Sequence, residues 1–71
     1  MNKADVQDVH LTGREREVLS LLAQGLQLEE IAQQLEIGLE TVRTHVRHAA
    51  QRLGAANRTH AVAIAIRRNL L

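Results

Sequence analysis

Arg43, Thr44 and Arg47 are the residues of this chain best suited to chemistry on a partner. A guanidinium can donate two parallel hydrogen bonds to one planar acceptor edge, such as a guanine or a phosphate. Threonine offers a hydroxyl and a methyl group to a base edge. The three lie within one helical turn, off the apolar stripe formed by Val42, Val46 and Ala49. A helix carrying forked cationic donors on its free face suits the major groove of duplex DNA.

Such a face must be held by buried structure. Just upstream, Ile31, Ala32 and Leu35 form a second apolar stripe, and Ile37 sits in a short turn that holds Gly38. Two short helices crossing at a steep angle over a shared core have this pattern, so residues 28–47 predict a helix-turn-helix. A first helix starts after Thr12, where Thr12 and Glu15 have capping-box spacing. Its apolar face is Val18, Leu19, Leu22 and Ala23, and Gly25 is its C-terminal cap. The second helix runs from about Leu28 to Leu35. The third runs from about Leu39 to Leu53, with Gly38 at its N-cap and Gly54 past its end. Asn57 caps a fourth helix that reaches about Arg68. The expected organisation is a loose tail at 1–10 and one all-α, four-helix domain at 11–71.

Other chemistry is poorly supplied. Ser20 is the only serine and lies mid-helix, and cysteine is absent, so a nucleophilic triad has no material. Glu29 and Glu30 are adjacent, point to different faces, and cannot act as a paired acid and base. No glycine-rich phosphate loop occurs. His45 and His48 could share a face, but no acidic cluster completes a metal site. His48 is expected at the surface and His45 half-buried beside the core stripe. No enzymatic activity, metal or cofactor is expected.

Net charge over the 71 residues is only +1, but its distribution is uneven. Residues 1–36 carry three cations against seven carboxylates, a net of −4, and residues 37–71 carry six against one, a net of +5. This asymmetry fits a polyanion partner. It equally fits a dipolar solvated surface. Aromatic residues are absent, so base-stacking on single strands or RNA loops has no platform, and duplex DNA is favoured. No apolar run approaches the roughly 20 residues of a membrane span. The segment MNKADVQDVH lacks an apolar signal core, and a cytoplasmic location is expected.

In the fourth helix, Ala61, Val62, Ala65 and Asn69 group on one side of a helical wheel and are expected to face the core. Ala63, Ile66 and Leu70 form an adjacent apolar flank, wider than one core contact requires. One reading is that a second copy packs there, making a dimer. The alternatives are a terminal helix that is simply apolar, or one lying on a membrane surface with Arg67 and Arg68 outward.

The segments LTGREREVLSLLAQGL, EEIAQQL, TVRTHVR, RLG and NRTHAV occur in order at unbroken spacing. With them, the chain from about Leu11 to Leu71 closely resembles the DNA-binding domain of LuxR/GerE-type transcription regulators. That group includes output domains of many response regulators and of acyl-homoserine lactone receptors. The resemblance implies a dimer on a two-fold symmetric DNA site, with the third helix in the major groove, the fourth at the dimer contact, and RNA polymerase as a further partner. By the same resemblance Arg43, Thr44 and Arg47 face the groove. Thr41 and Arg58 touch the DNA backbone, while Glu17 and Ile31 support the scaffold. Members usually carry a sensory domain N-terminal to this one. The chain departs from the family pattern at Gln27, Leu28 and Glu29, where a small polar residue, Asn and Lys are common. It departs again at Gly38 in place of Ser and at Asn69 in place of Gly. An acidic Glu29 would oppose DNA charge at the start of the second helix. A helical protein-interaction module that has lost DNA binding is the rival reading.

Overall fold

A computed structural model of the protein describes residues 9–71; most of the expected N-terminal tail lies outside these residues. The capping residues found in the sequence set where the helices begin. α1 spans Gly13–Ala23. The Glu15 amide donates to Thr12 Oγ1 and the Thr12 amide donates to Glu15 Oε1, both at 3.0 Å. This capping box satisfies two of the amide donors that a helix start leaves without partners. α2 spans Leu28–Leu35, and its Glu30 carboxylate accepts from the Gln27 amide at 2.7 Å. α3 spans Leu39–Leu53 behind Gly38. α4 spans Arg58–Arg67, where Asn57 Oδ1 accepts from the His60 amide at 2.8 Å.

All four helices end in the same way. A left-handed residue follows each: Gly25, Glu36, Gly54 and Asn69, with φ of 97°, 58°, 67° and 56°. The next residue's amide reaches back to the last turn: Leu26 to Leu21, Ile37 to Ala32, Ala55 to Ala50, and Leu70 to Ala65. This is the Schellman arrangement, and each pair is apolar, as the motif favours. Glycine adopts this conformation freely at Gly25 and Gly54, whereas Glu36 holds it with a side chain.

The core has two lobes. Val18, Leu21, Leu28, Ile31, Ala32, Val42 and Val46 join α1, α2 and α3, with Ile37 and Leu39 packed at the edge. Leu11, Leu19, Ala49, Leu53, Ala61, Ile64 and Ala65 join α1, α3 and α4, with Val9 and Leu70 against them. α1 and α3 run through both lobes, so the long helix that carries the candidate arginines is gripped along its length. Burying aliphatic side chains of this size stabilises by roughly 1.5–3 kcal/mol each.

Four expectations need correction. In α1, Leu21 is buried while Ala23 is exposed. In α4, Ile64 is buried although the wheel left it off the core face. Asn69, expected in the core, is exposed, because α4 stops at Arg67 and helical periodicity no longer applies beyond it. Glu17, expected to support the scaffold, is half exposed and, among the described residues, pairs with Arg14 at 3.1 Å. The buried carboxylate of α1 is Glu15, at 2% exposure. Ile31 is fully buried, as a scaffold residue should be. Among the described residues, no helix is long and apolar enough to cross a membrane.

Candidate DNA-binding surface

The three-residue turn 36–38 sets α3 against α2 with Val42, Val46 and Ala49 facing inward. The helical repeat then forces Thr41, Arg43, Arg47 and His48 outward, all of them exposed, with Thr44 and His45 half-buried. Both histidines therefore lie where the wheel puts them. Among the described residues no group of three or more His, Cys, Asp or Glu could hold a metal ion.

Arg43 and Arg47 meet a third cation from another element. An open depression of about 380 Å³ is lined by Leu28, Arg43, Val46, Arg47, Asn57 and Arg58. Arg58 is the first residue of α4, presented there because Asn57 caps that helix and the α3–α4 link is short. The structure thus brings together three of the five residues expected to touch DNA. Thr41 and Thr44 are on α3 but outside this lining. Thr44 spends its hydroxyl hydrogen on the Glu40 carbonyl at 3.0 Å, leaving its oxygen lone pairs and methyl group for a partner.

Several charges are already engaged. Arg43 Nη1 lies 2.6 Å from Glu40 Oε2. Arg52 Nε lies 3.0 Å from Glu15 Oε1, tying α3 to α1. Arg16 Nε donates to the Leu70 carbonyl at 3.1 Å, tying α1 to the segment after α4. Arg52 accordingly serves the scaffold, and net charge overstates the cations left for a partner. At the start of α2, Glu29 and Glu30 are both exposed at the positive end of the helix dipole. Glu30 already takes the Gln27 amide, so the chain's own carboxylate occupies one of the donors that could otherwise meet a phosphate.

Two ion pairs that matter here escaped the sequence reading. The Glu40–Arg43 pair has the i,i+3 spacing of helix ion pairs and could have been found from that spacing. The Glu15–Arg52 pair spans 37 positions and carries no local signal.

The apolar flank of α4 divides. Ile66 is 54% exposed. Ala63 is half-buried, and Leu70 folds back partly onto the core.

Four helices in this order, with a tight turn before a basic third helix, define a helix-turn-helix DNA-binding domain. The chain belongs to the luxR family of bacterial regulatory proteins, whose pattern matches residues 9–65. Over 61 residues it is 51% identical to the transcriptional activator protein BjaR1 of Bradyrhizobium diazoefficiens, covering 86% of this chain and 25% of BjaR1. It is 50% identical over 52 residues to the spore germination protein GerE of Bacillus subtilis, covering 73% of this chain and 70% of GerE. A solved structure of the transcription factor GerE superposes with a TM-score of 0.82 at 39% identity, covering 86% of this chain and 91% of that one. The chain spans about a quarter of the length of BjaR1, and 28% of the uncharacterized transcriptional regulatory protein YxjL of Bacillus subtilis. It is the DNA-binding domain of a transcriptional regulator of that family.

Proposed function

We propose that this domain, residues 11–71, binds duplex DNA sequence-specifically with α3 in the major groove. Arg43, Thr44 and Arg47 read base edges, and Thr41 and Arg58 hold the phosphate backbone. Phosphate contacts fix register, and base contacts carry the sequence information. The observation that carries this reading is the convergence of Arg43, Arg47 and Arg58, from two helices, on one open depression. In that arrangement the two α3 arginines can reach base edges while Arg58, at the start of α4, holds the phosphate backbone beside them.

The domain acts as a homodimer on a two-fold symmetric site, joined through α4. Ile66 is the centre of that contact, with Ala63 beside it and Leu70 at its edge. A single short helix buries far less than the roughly 1,200 Å² of a stable interface. Dimerisation is therefore weak in solution and firm on DNA, where neighbouring half-sites raise the effective concentration of the second subunit. The cytoplasm is the compartment of this activity. RNA polymerase is a further partner, a reading supported by the similarity to the transcriptional activator protein BjaR1.

Selection of bound sites from a random duplex pool tests the whole reading. An enriched palindrome supports groove reading, two-fold symmetry and a fixed half-site spacing together. Binding should also fall with salt, with log affinity dropping by roughly 0.9 per phosphate neutralised for each unit of log salt. No enrichment and a flat salt response would favour a protein-interaction module, the reading that the acidic start of α2 supports.

A further inference from the structure

Glu40 has no role in the reading above, yet it touches two of the three side chains assigned to base edges. Its Oε2 lies 2.6 Å from Arg43 Nη1, and its carbonyl accepts the Thr44 hydroxyl at 3.0 Å. It is the single carboxylate in residues 37–71. Folding gains little from it: it stands in the first turn of α3, where the helix dipole favours an acid, but its side chain is 81% exposed, and neither an exposed charge there nor an exposed pair at this spacing adds much to stability. On a surface that must approach phosphates, an added negative charge weakens binding to every sequence. A charge that adds little to folding and lowers general affinity can still act on selectivity.

We propose that Glu40 is the specificity-determining residue of α3, holding the Arg43 guanidinium on one guanine edge and penalising duplexes that do not offer it. This rests on Arg43 being a base contact. A guanidinium has five N–H donors in a rigid plane. With one Nη1 hydrogen engaged by Glu40, the plane is restrained, and donors remain for the guanine O6 and N7 acceptors. A restrained side chain loses less freedom when it makes that contact. At a wrong base pair, Arg43 either stays on Glu40 without its base partner or swings to a phosphate. In the second case it strands the carboxylate in a groove walled by phosphate charge. Both routes raise the free energy of the wrong complex, which is discrimination by repulsion as well as by attraction.

The test uses the 71-residue chain on its selected duplex and on a set with each base pair exchanged in turn. Dissociation constants are measured for the parent chain, Glu40→Ala, Glu40→Gln, Arg43→Ala and the Glu40→Ala/Arg43→Ala double variant. Glu40→Ala should tighten binding to exchanged duplexes and reduce the matched-to-mismatched ratio about tenfold at one G·C pair. That pair should be the one where Arg43→Ala also loses discrimination. In the double variant the ratio should equal that of Arg43→Ala alone. Glu40→Gln keeps an acceptor without the charge, and its ratio should fall between those of the parent and Glu40→Ala. Circular dichroism should be unchanged throughout, since both side chains are exposed. If Glu40→Ala strengthens every duplex by the same factor, Glu40 only repels phosphate and the proposal is overturned, with DNA reading intact. If Arg43→Ala leaves discrimination untouched, the base-contact assignment fails and the proposal falls with it.

Discussion

Arg52 Nε sits between the two carboxylate oxygens of Glu15, 3.0 Å from one and 3.2 Å from the other. Glu15 is 2% exposed, and the same Oε1 also accepts the Thr12 amide. One carboxylate therefore caps α1 and anchors α3 beside it. A carboxylate this deeply buried is costly unless its oxygens are hydrogen-bonded. Here the cap supplies one donor and α3 the other.

Arg52→Ala should consequently destabilise the domain by about 1–3 kcal/mol, the range for leaving a buried acceptor without its partner. The half-exposed Arg52 side chain keeps the loss below that of a fully buried pair. Urea unfolding should show a lower midpoint at unchanged slope. An unaltered midpoint would mean that the pair contributes nothing net.

Arg43→Ala and Arg47→Ala should differ in kind from Arg58→Ala. The first two should each cost about 1–3 kcal/mol on the selected site and relax preference at one base pair. Arg58→Ala should weaken matched and mismatched duplexes alike and lower the salt slope by about one. Titrations on both duplexes at two salt concentrations separate these outcomes. Full affinity in the Arg43 and Arg47 variants would remove α3 from the groove.

Ile66 and Ile64 lie two positions apart on α4 and should respond oppositely. Ile66 is 54% exposed and Ile64 only 7%. Ile66→Glu should fold normally by circular dichroism yet lose cooperative binding to full sites. Ile64→Ala should cost about 2–5 kcal/mol of folding stability, as truncations of buried aliphatic side chains do. Retained cooperativity in Ile66→Glu would exclude α4 as the dimer contact.

Glu36 ends α2 in the left-handed conformation, at φ 58°. That conformation costs an L-residue about 1–2 kcal/mol, and glycine returns part of the difference through its greater freedom in the unfolded chain. Glu36→Gly should therefore raise stability by about 0.5–1 kcal/mol, visible as a higher thermal midpoint. A lower midpoint would show that the Glu36 side chain makes a contact worth more than the strain it imposes.

Much of this domain was legible in the sequence because its signals are local. Thr12 with Glu15, Gly38, Gly54 and Asn57 mark helix ends through hydrogen bonds or backbone conformations only a few residues long. The stripe Val42, Val46 and Ala49 sets the buried side of α3, and the helical repeat alone then turns Arg43 and Arg47 outward. The ordered segments of the resemblance named the family for the same reason: they preserve spacing along the chain. Tertiary structure decided what depends on elements meeting. Arg58 joins Arg43 and Arg47 only because the link after Leu53 brings the start of α4 beside α3. Arg52 belongs to Glu15, and Arg16 to the Leu70 carbonyl 54 positions away, because α1 packs between the chain's later parts. Identical side chains thus became scaffold or binding surface according to their neighbours. Asn69 left the core that a helical wheel gave it once α4 ended two residues earlier. Periodicity records which way a residue points within one helix; where that helix stops and what lies opposite are set by packing.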